Sequence, residues 1–198
     1  MRMSKHFATG AALTAAAAMV LTACGGGGSS TGSGGTDASG GPKGTVTAGV
    51  AYETTDYGPI TTSAIGMGAN WQVLEGLYRF NMADYSVSPA LAAGDPVKVS
   101  DTEYEVSLRE GAKFSDGTPV TAADVVSSYE RATSEKSIYR QFFTFVDSVS
   151  AKDDSTVTIT LKHPFANLKE RFVNVRVVPS SMDEDSLKAK PIGSGPYK

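Results

Sequence analysis

The chain has 198 residues, with 18 Lys and Arg against 21 Asp and Glu, a net charge of −3 and 40% hydrophobic residues. That length suits one or two domains, and the composition excludes a wholly disordered chain. A single Cys excludes an internal disulfide and a Cys-based zinc site, and the acidic balance gives no footprint for nucleic acid.

Arg2 and Lys5 form a positive segment, and Phe7 to Leu21 is apolar and uncharged. This run is shorter than the ~20 residues a membrane helix needs and reads as a signal peptide over residues 1–23. It ends in Leu21-Thr22-Ala23-Cys24, which looks like a bacterial lipobox. Cys24 is the expected lipidation site, and two acyl chains there would anchor stably where one is marginal. The alternative reading is a free Cys at the end of a secretory leader. Removal of residues 1–23 takes away Arg2 and Lys5 and no acid, moving the net charge from −3 to −5.

Residues 24–44 are the Cys and a run of Gly, Ser, Thr and Asp that buries too little apolar surface to fold. As a flexible coil it spans on the order of 25 Å r.m.s., a tether between a membrane anchor and a soluble domain. No strand precedes its glycines and no Lys-Ser/Thr follows, so it is not a phosphate loop.

Residues 45–198 carry the foldable sequence. Val46, Ala48 and Val50 alternate as a strand that runs into a turn-rich loop from Tyr52 to Pro59. Ile65, Ala69, Val73, Leu74 and Leu77 sit at mostly helical spacing, with Gly76 able to end the helix, and Leu77 to Phe80 reads as a strand. Val97–Val99, a turn at 100–102 and Tyr104–Leu108 make a hairpin. Glu110-Gly111 and Asp116-Gly117 are turn pairs. Thr121 stands at an N-cap with Asp124 three residues on, and Val125, Tyr129 and Ala132 give the following helix an apolar face.

Ile138 to Phe145 is aromatic-rich, and Val146 and Val149 lead to the turn pair Asp153-Asp154. Val157, Ile159 and Leu161 alternate with threonines in the clearest strand of the chain. His163 follows it without an Asp, Cys or second His nearby and reads as a surface or packing residue. A short helix is expected at 167–172 and a buried strand at Val173–Val178, stopped by Pro179. Asp183, Glu184 and Asp185 read as a solvated patch or helix start. They lack the spacing of a calcium loop.

One stretch is specific as a string: LREGAKFSDGTPVTAADVVSSYERA, from Leu108 to Ala132. Arg109, Gly111, Phe114, Asp116, Gly117, Pro119, Val120, Ala122, Asp124 and Val125 resemble the signature of the family 5 extracellular solute-binding proteins of ABC importers. These are the oligopeptide, dipeptide and nickel receptors. VLEGLYRF (73–80), Pro89-Ala90-Leu91-Ala92, DDSTVTITLKHPF (153–165) and Pro191-Ile192-Gly193-Ser194-Gly195-Pro196-Tyr197 resemble further family segments. The family usually follows its Pro-Ala-Leu-Ala turn with a Trp. Here Gly94-Asp95-Pro96-Val97 stands there, so the packing differs.

The resemblance implies a mixed α/β, type II periplasmic-binding-protein-like fold. The chain supplies part of the first lobe, with an inserted subdomain at about 77–190. It implies ligand contacts at Tyr52, Glu53 and Trp71, each with a plain alternative: an exposed loop for the first two and a packed core ring for Trp71. It implies a return to the main lobe at Gly193 and Gly195, where close backbone approach or unusual φ is expected. No cofactor is expected. The expected partners are a peptide or other small solute, a permease and ATPase complex and the membrane through Cys24, with no nucleic acid and a monomeric state. Family members are much longer, so the chain is expected to be an N-terminal fragment. Two other readings stay open. A surface lipoprotein without a transport role, or a truncated, non-binding remnant of such a receptor, would keep the same motifs. An enzyme would need a nucleophile–base set or metal cluster, and Ser115-Asp116 has no partner His.

Overall fold

The computed structural model describes residues 56–60 and 64–197. The leader, the linker, Cys24, the expected strand at 45–51, Tyr52 and Glu53 lie outside the described residues. Those described all fall in one compact unit, Ala48–Lys198.

The architecture is mixed α/β. Helix α1 (Ala64–Val73) leads to strands β1 (Tyr78–Phe80) and β2 (Val87–Pro89), which pair antiparallel as a short hairpin. Strands β3 (Val97–Lys98), β4 (Glu103–Ser107), β5 (Val146–Ala151) and β6 (Thr156–Leu161) form an antiparallel sheet in the order β3-β4-β6-β5. Helix α2 (Ala122–Thr133) and a 3-10 helix (Ile138–Phe143) connect β4 to β5, and α2 packs on β5 and β6. Short helices α3 (Leu168–Phe172) and α4 (Glu184–Ala189) follow.

Period-two patterning decides the large sheet. Val157, Ile159 and Leu161 are buried while the intervening threonines are half-buried, and Val106 lies opposite Val157 in register. Under this face sit Val125 and Ala132 of α2. Tyr129 stacks on Phe172 at 6.1 Å and meets the edge of Phe143 at 5.6 Å. Burial pushes the Tyr129 phenol up to about 12.

The signature stretch folds as local chemistry dictates. Gly111 (φ 69°) and Gly117 (φ 94°) take the left-handed backbone of their turns. The Asp116 carboxylate accepts the Thr118 N–H at 2.9 Å and its hydroxyl at 2.7 Å, closing the Phe114–Thr118 turn and lowering the Asp116 pKa. Asp124 accepts the Thr121 N–H at 2.9 Å and its hydroxyl at 2.8 Å, fixing the start of α2. Such caps contribute about 1 kcal/mol.

Three expectations need correction. Helix α1 ends at Val73, short of Gly76. Gly76 instead lies where a Cβ would stand 2.7 Å from the Val175 carbonyl, so its role is close approach. The segment 87–89 is a strand paired with β1 and not merely a turn. Val173–Val178 is buried at its valines but joins no sheet. Its backbone is held by single bonds to distant groups, as described below.

Candidate functional site

The motif segments scattered along the chain converge on the C-terminal end of α1. The Gly195 N–H donates to the Val73 carbonyl at 2.9 Å, and the Tyr197 N–H to the Gln72 carbonyl at 3.3 Å. A Cβ on Gly193 would stand 2.1 Å from the Val73 carbonyl oxygen, and one on Gly195 2.5 Å from that of Gln72. Only glycine allows the chain to pass there. Neither has a positive φ, so of the two expected reasons for glycine it is the close approach that operates. The signature turn docks on the same segment, with the Ser115 N–H donating to the Gly193 carbonyl at 2.8 Å.

Glu75 and Arg109 join two further motifs. The Arg109 guanidinium bonds the Glu75 carboxylate at 2.8 and 3.3 Å and the Ala90 carbonyl at 2.6 Å. This fork ties the ends of α1, β2 and β4 together. It is partly exposed, so its net contribution is about 1 kcal/mol.

A cavity of about 230 Å³ opens beside this junction, lined among others by Trp71, Glu75, Arg79, Met82 and Arg176. Trp71 is 40% exposed, so it is not a packed core ring. The Arg176 guanidinium lies over its ring at 5.0 Å from the centroid. Arg176 itself is only 9% exposed. Among the described residues no carboxylate pairs with it. Burial lowers its pKa to about 10, against a smaller raising effect of Tyr139. A buried unpaired charge costs on the order of several kcal/mol, while a desolvated cation–π contact returns about 2 kcal/mol or somewhat more. The balance leaves a cation facing the cavity without its counter-charge. Arg79, at the rim, reaches only the Ser88 hydroxyl at 3.4 Å. Glu75 is committed to Arg109, so the lining is positive on balance.

The segment carrying Arg176 is held by one face of α2. Ser128 accepts the Val178 N–H at 3.0 Å and donates to the Val178 carbonyl at 3.4 Å. Asp124 accepts the Ser180 N–H at 2.8 Å, and Arg131 donates to the Met182 carbonyl. For Asp124 and Ser128 the spacing works because four helical residues rise ~6 Å and two extended residues advance ~6.6 Å. The Val177 N–H donates to the Glu75 carbonyl at 2.8 Å on the other side. Glu75, Arg79, Arg109 and Arg176 were not singled out as site residues from sequence. The one local signal for Arg176 was a charge inside a run of valines.

His163 is exposed. Its ring meets only the Pro164 carbonyl, at 3.3 Å. Asp183 caps α4 by accepting the Ser186 N–H at 2.8 Å. Among the described residues, no three His, Cys, Asp or Glu are grouped to hold a metal ion.

Residues 86–198 match the family model described as bacterial extracellular solute-binding proteins, family 5 Middle. The chain is 35% identical to Protein XP55 of Streptomyces lividans over 174 residues, 83% of this chain and 30% of that protein. It is 30% identical to the glutathione-binding protein GsiB of Pectobacterium atrosepticum over 131 residues, 63% of this chain and 25% of that one. Its fold is similar to that of the periplasmic binding protein AgaA of A. tumefaciens R10 in complex with agropinic acid. There the TM-score is 0.66 at 28% identity, covering 74% of this chain and 31% of that one. The chain thus spans about a third or less of the proteins it matches. The matched family is one of solute-binding proteins and not of enzymes, and with the model covering more than half of its residues, this chain belongs to the bacterial extracellular solute-binding proteins of family 5.

Proposed function

We propose that this chain belongs to the solute-capturing component of an ABC importer and that its solute is a peptide. In this reading it contributes part of the first lobe of a type II binding protein, with a subdomain at about 77–190. The Trp71–Arg176 cavity is one wall of the ligand cleft, and Tyr52 and Glu53 are further ligand contacts. Gly193 and Gly195 mark the return to the main lobe and serve as a hinge. The protein is held outside the cytoplasm by lipid on Cys24, as a monomer that delivers solute to a permease and ATPase complex.

The observation that carries this reading is the cavity itself, where the family's motif segments meet around an exposed Trp and a buried Arg that has no carboxylate partner among the described residues. A core designed only for stability avoids such a pair, and perturbed charged groups in clefts cluster at functional sites. The peptide class draws support from the likeness to GsiB, whose named ligand, glutathione, is a tripeptide.

Calorimetry on the natural protein tests it, with trialanine and glutathione as probes. Saturable one-to-one binding of either is expected. Absence of heat with both overturns the peptide reading. An intact mass of the membrane-extracted protein is expected to show a diacylglycerol on Cys24, and an unmodified mature Cys overturns the anchor.

A further inference from the structure

The positive cavity narrows the solute, and the narrowing rests on the receptor reading above. We infer that Arg176, held on the ring of Trp71, receives a carboxylate of the solute. For a peptide this is its free C-terminus or an acidic side chain.

Three observations meet at this residue. Arg176 is buried to 9% exposure yet lines an open cavity, so its guanidinium is reachable from one side only. Among the described residues it has no anionic partner, while Arg109 has one in Glu75. The segment that carries it is fixed from α2 by Asp124 and Ser128 and from the other side by the Glu75 carbonyl. The guanidinium is therefore positioned before ligand arrives. A planar fork pre-set in a largely buried position is suited to a carboxylate, which can accept two parallel N–H bonds. Trp71 is a positioning residue: its face supports the guanidinium and leaves the cation's outward edge for the ligand. The positive rim residue Arg79 favours the same charge.

Trp71 is the single Trp of the sequence, so its emission reports on the Arg176 contact. The natural protein is titrated with succinate while Trp71 emission is followed. Sodium chloride at matched ionic strength and the W71F variant serve as controls. Calorimetry in parallel compares trialanine with its C-terminal amide. Succinate is expected to change the emission saturably, with no change in either control. In R176Q and R176M its affinity falls by at least about tenfold, and R176K lies between. Trialanine is expected to bind at least about tenfold tighter than its amide, and R176M brings that ratio close to one.

A succinate response and an acid-to-amide ratio that both survive R176M overturn the inference and leave the receptor standing. If trialanine fails to bind but succinate binds through Arg176, the peptide reading falls and the carboxylate site stands. If neither binds, both fall. R176K retains the charge, so the comparison still decides if the neutral variants do not fold.

Discussion

The four-stranded sheet and the wall around Trp71 are built by opposite means. In the sheet each backbone bond is one of a series, and alternate side chains point into a shared apolar core. In the wall, segments far apart in sequence meet through single bonds, and a charge is buried with no carboxylate partner among the described residues. The ties from Ser128 and Asp124 to 178–180 cross 50 and 56 residues, and Arg109 reaches back 34 to Glu75. The sheet spreads its stability over many equivalent contacts. The wall concentrates it in a few ties between distant segments.

The largest effect that separates the two is expected at Gly193. G193A places a methyl against the Val73 carbonyl and the Leu74 side chain. Forcing them apart should cost about 3 kcal/mol, seen as a shift of the urea midpoint. At Gly94 a Cβ meets nothing within 4 Å, so G94A should stay within about 0.5 kcal/mol of wild type. Equal midpoints for the two variants would erase the distinction between crossing and open positions.

Next in size is Asp124, which is 6% exposed and serves both regions at once, capping α2 and gripping Ser180. D124A should cost about 2 kcal/mol, since it loses a cap and leaves a distant amide unpaired. Hydrogen exchange should show the Ser180 amide losing protection while amides of β6 change only with global stability. Uniform loss across both would mean the wall is not separable from the sheet.

The smallest effect is expected at Arg176, with the opposite sign. R176M removes an unpaired buried charge and should leave thermal stability at neutral pH equal to wild type or up to about 2 kcal/mol higher. The difference should shrink as pH rises above about 10. Between that value and the ordinary, higher Arg pKa, the folded chain has released the proton and the unfolded chain still holds it, so wild-type stability gains with pH. A methionine variant clearly less stable at pH 7 would show that Arg176 has a structural partner.

Legibility in the sequence follows the same division. The β3–β4 hairpin, β6, the Asp116-Gly117 turn and the Thr121–Asp124 cap were readable because each is decided within a few residues. The Val173–Val178 segment was read as a strand because its valines alternate. Its hydrogen bonds go to α2 and Glu75, and no local pattern announces that. Trp71 was nominated through family likeness alone, and its partner Arg176 was passed over because the pairing is a tertiary event. Strand β1 is legible at Leu77–Phe80, but its partner β2 is only three residues long and ends at Pro89, where the family likeness suggests only a turn.

The grip of α2 on residues 178–182 has a consequence for how such a receptor changes over generations. The helix side chains hold amides and carbonyls, which every residue but proline supplies alike. The side chain at 176 is no part of that hold. If Arg176 receives the solute as proposed, a substitution there alters what the wall recognises without dismantling the wall. Selectivity and scaffold are then separable traits, and a lineage could exchange one cargo for another through a single codon.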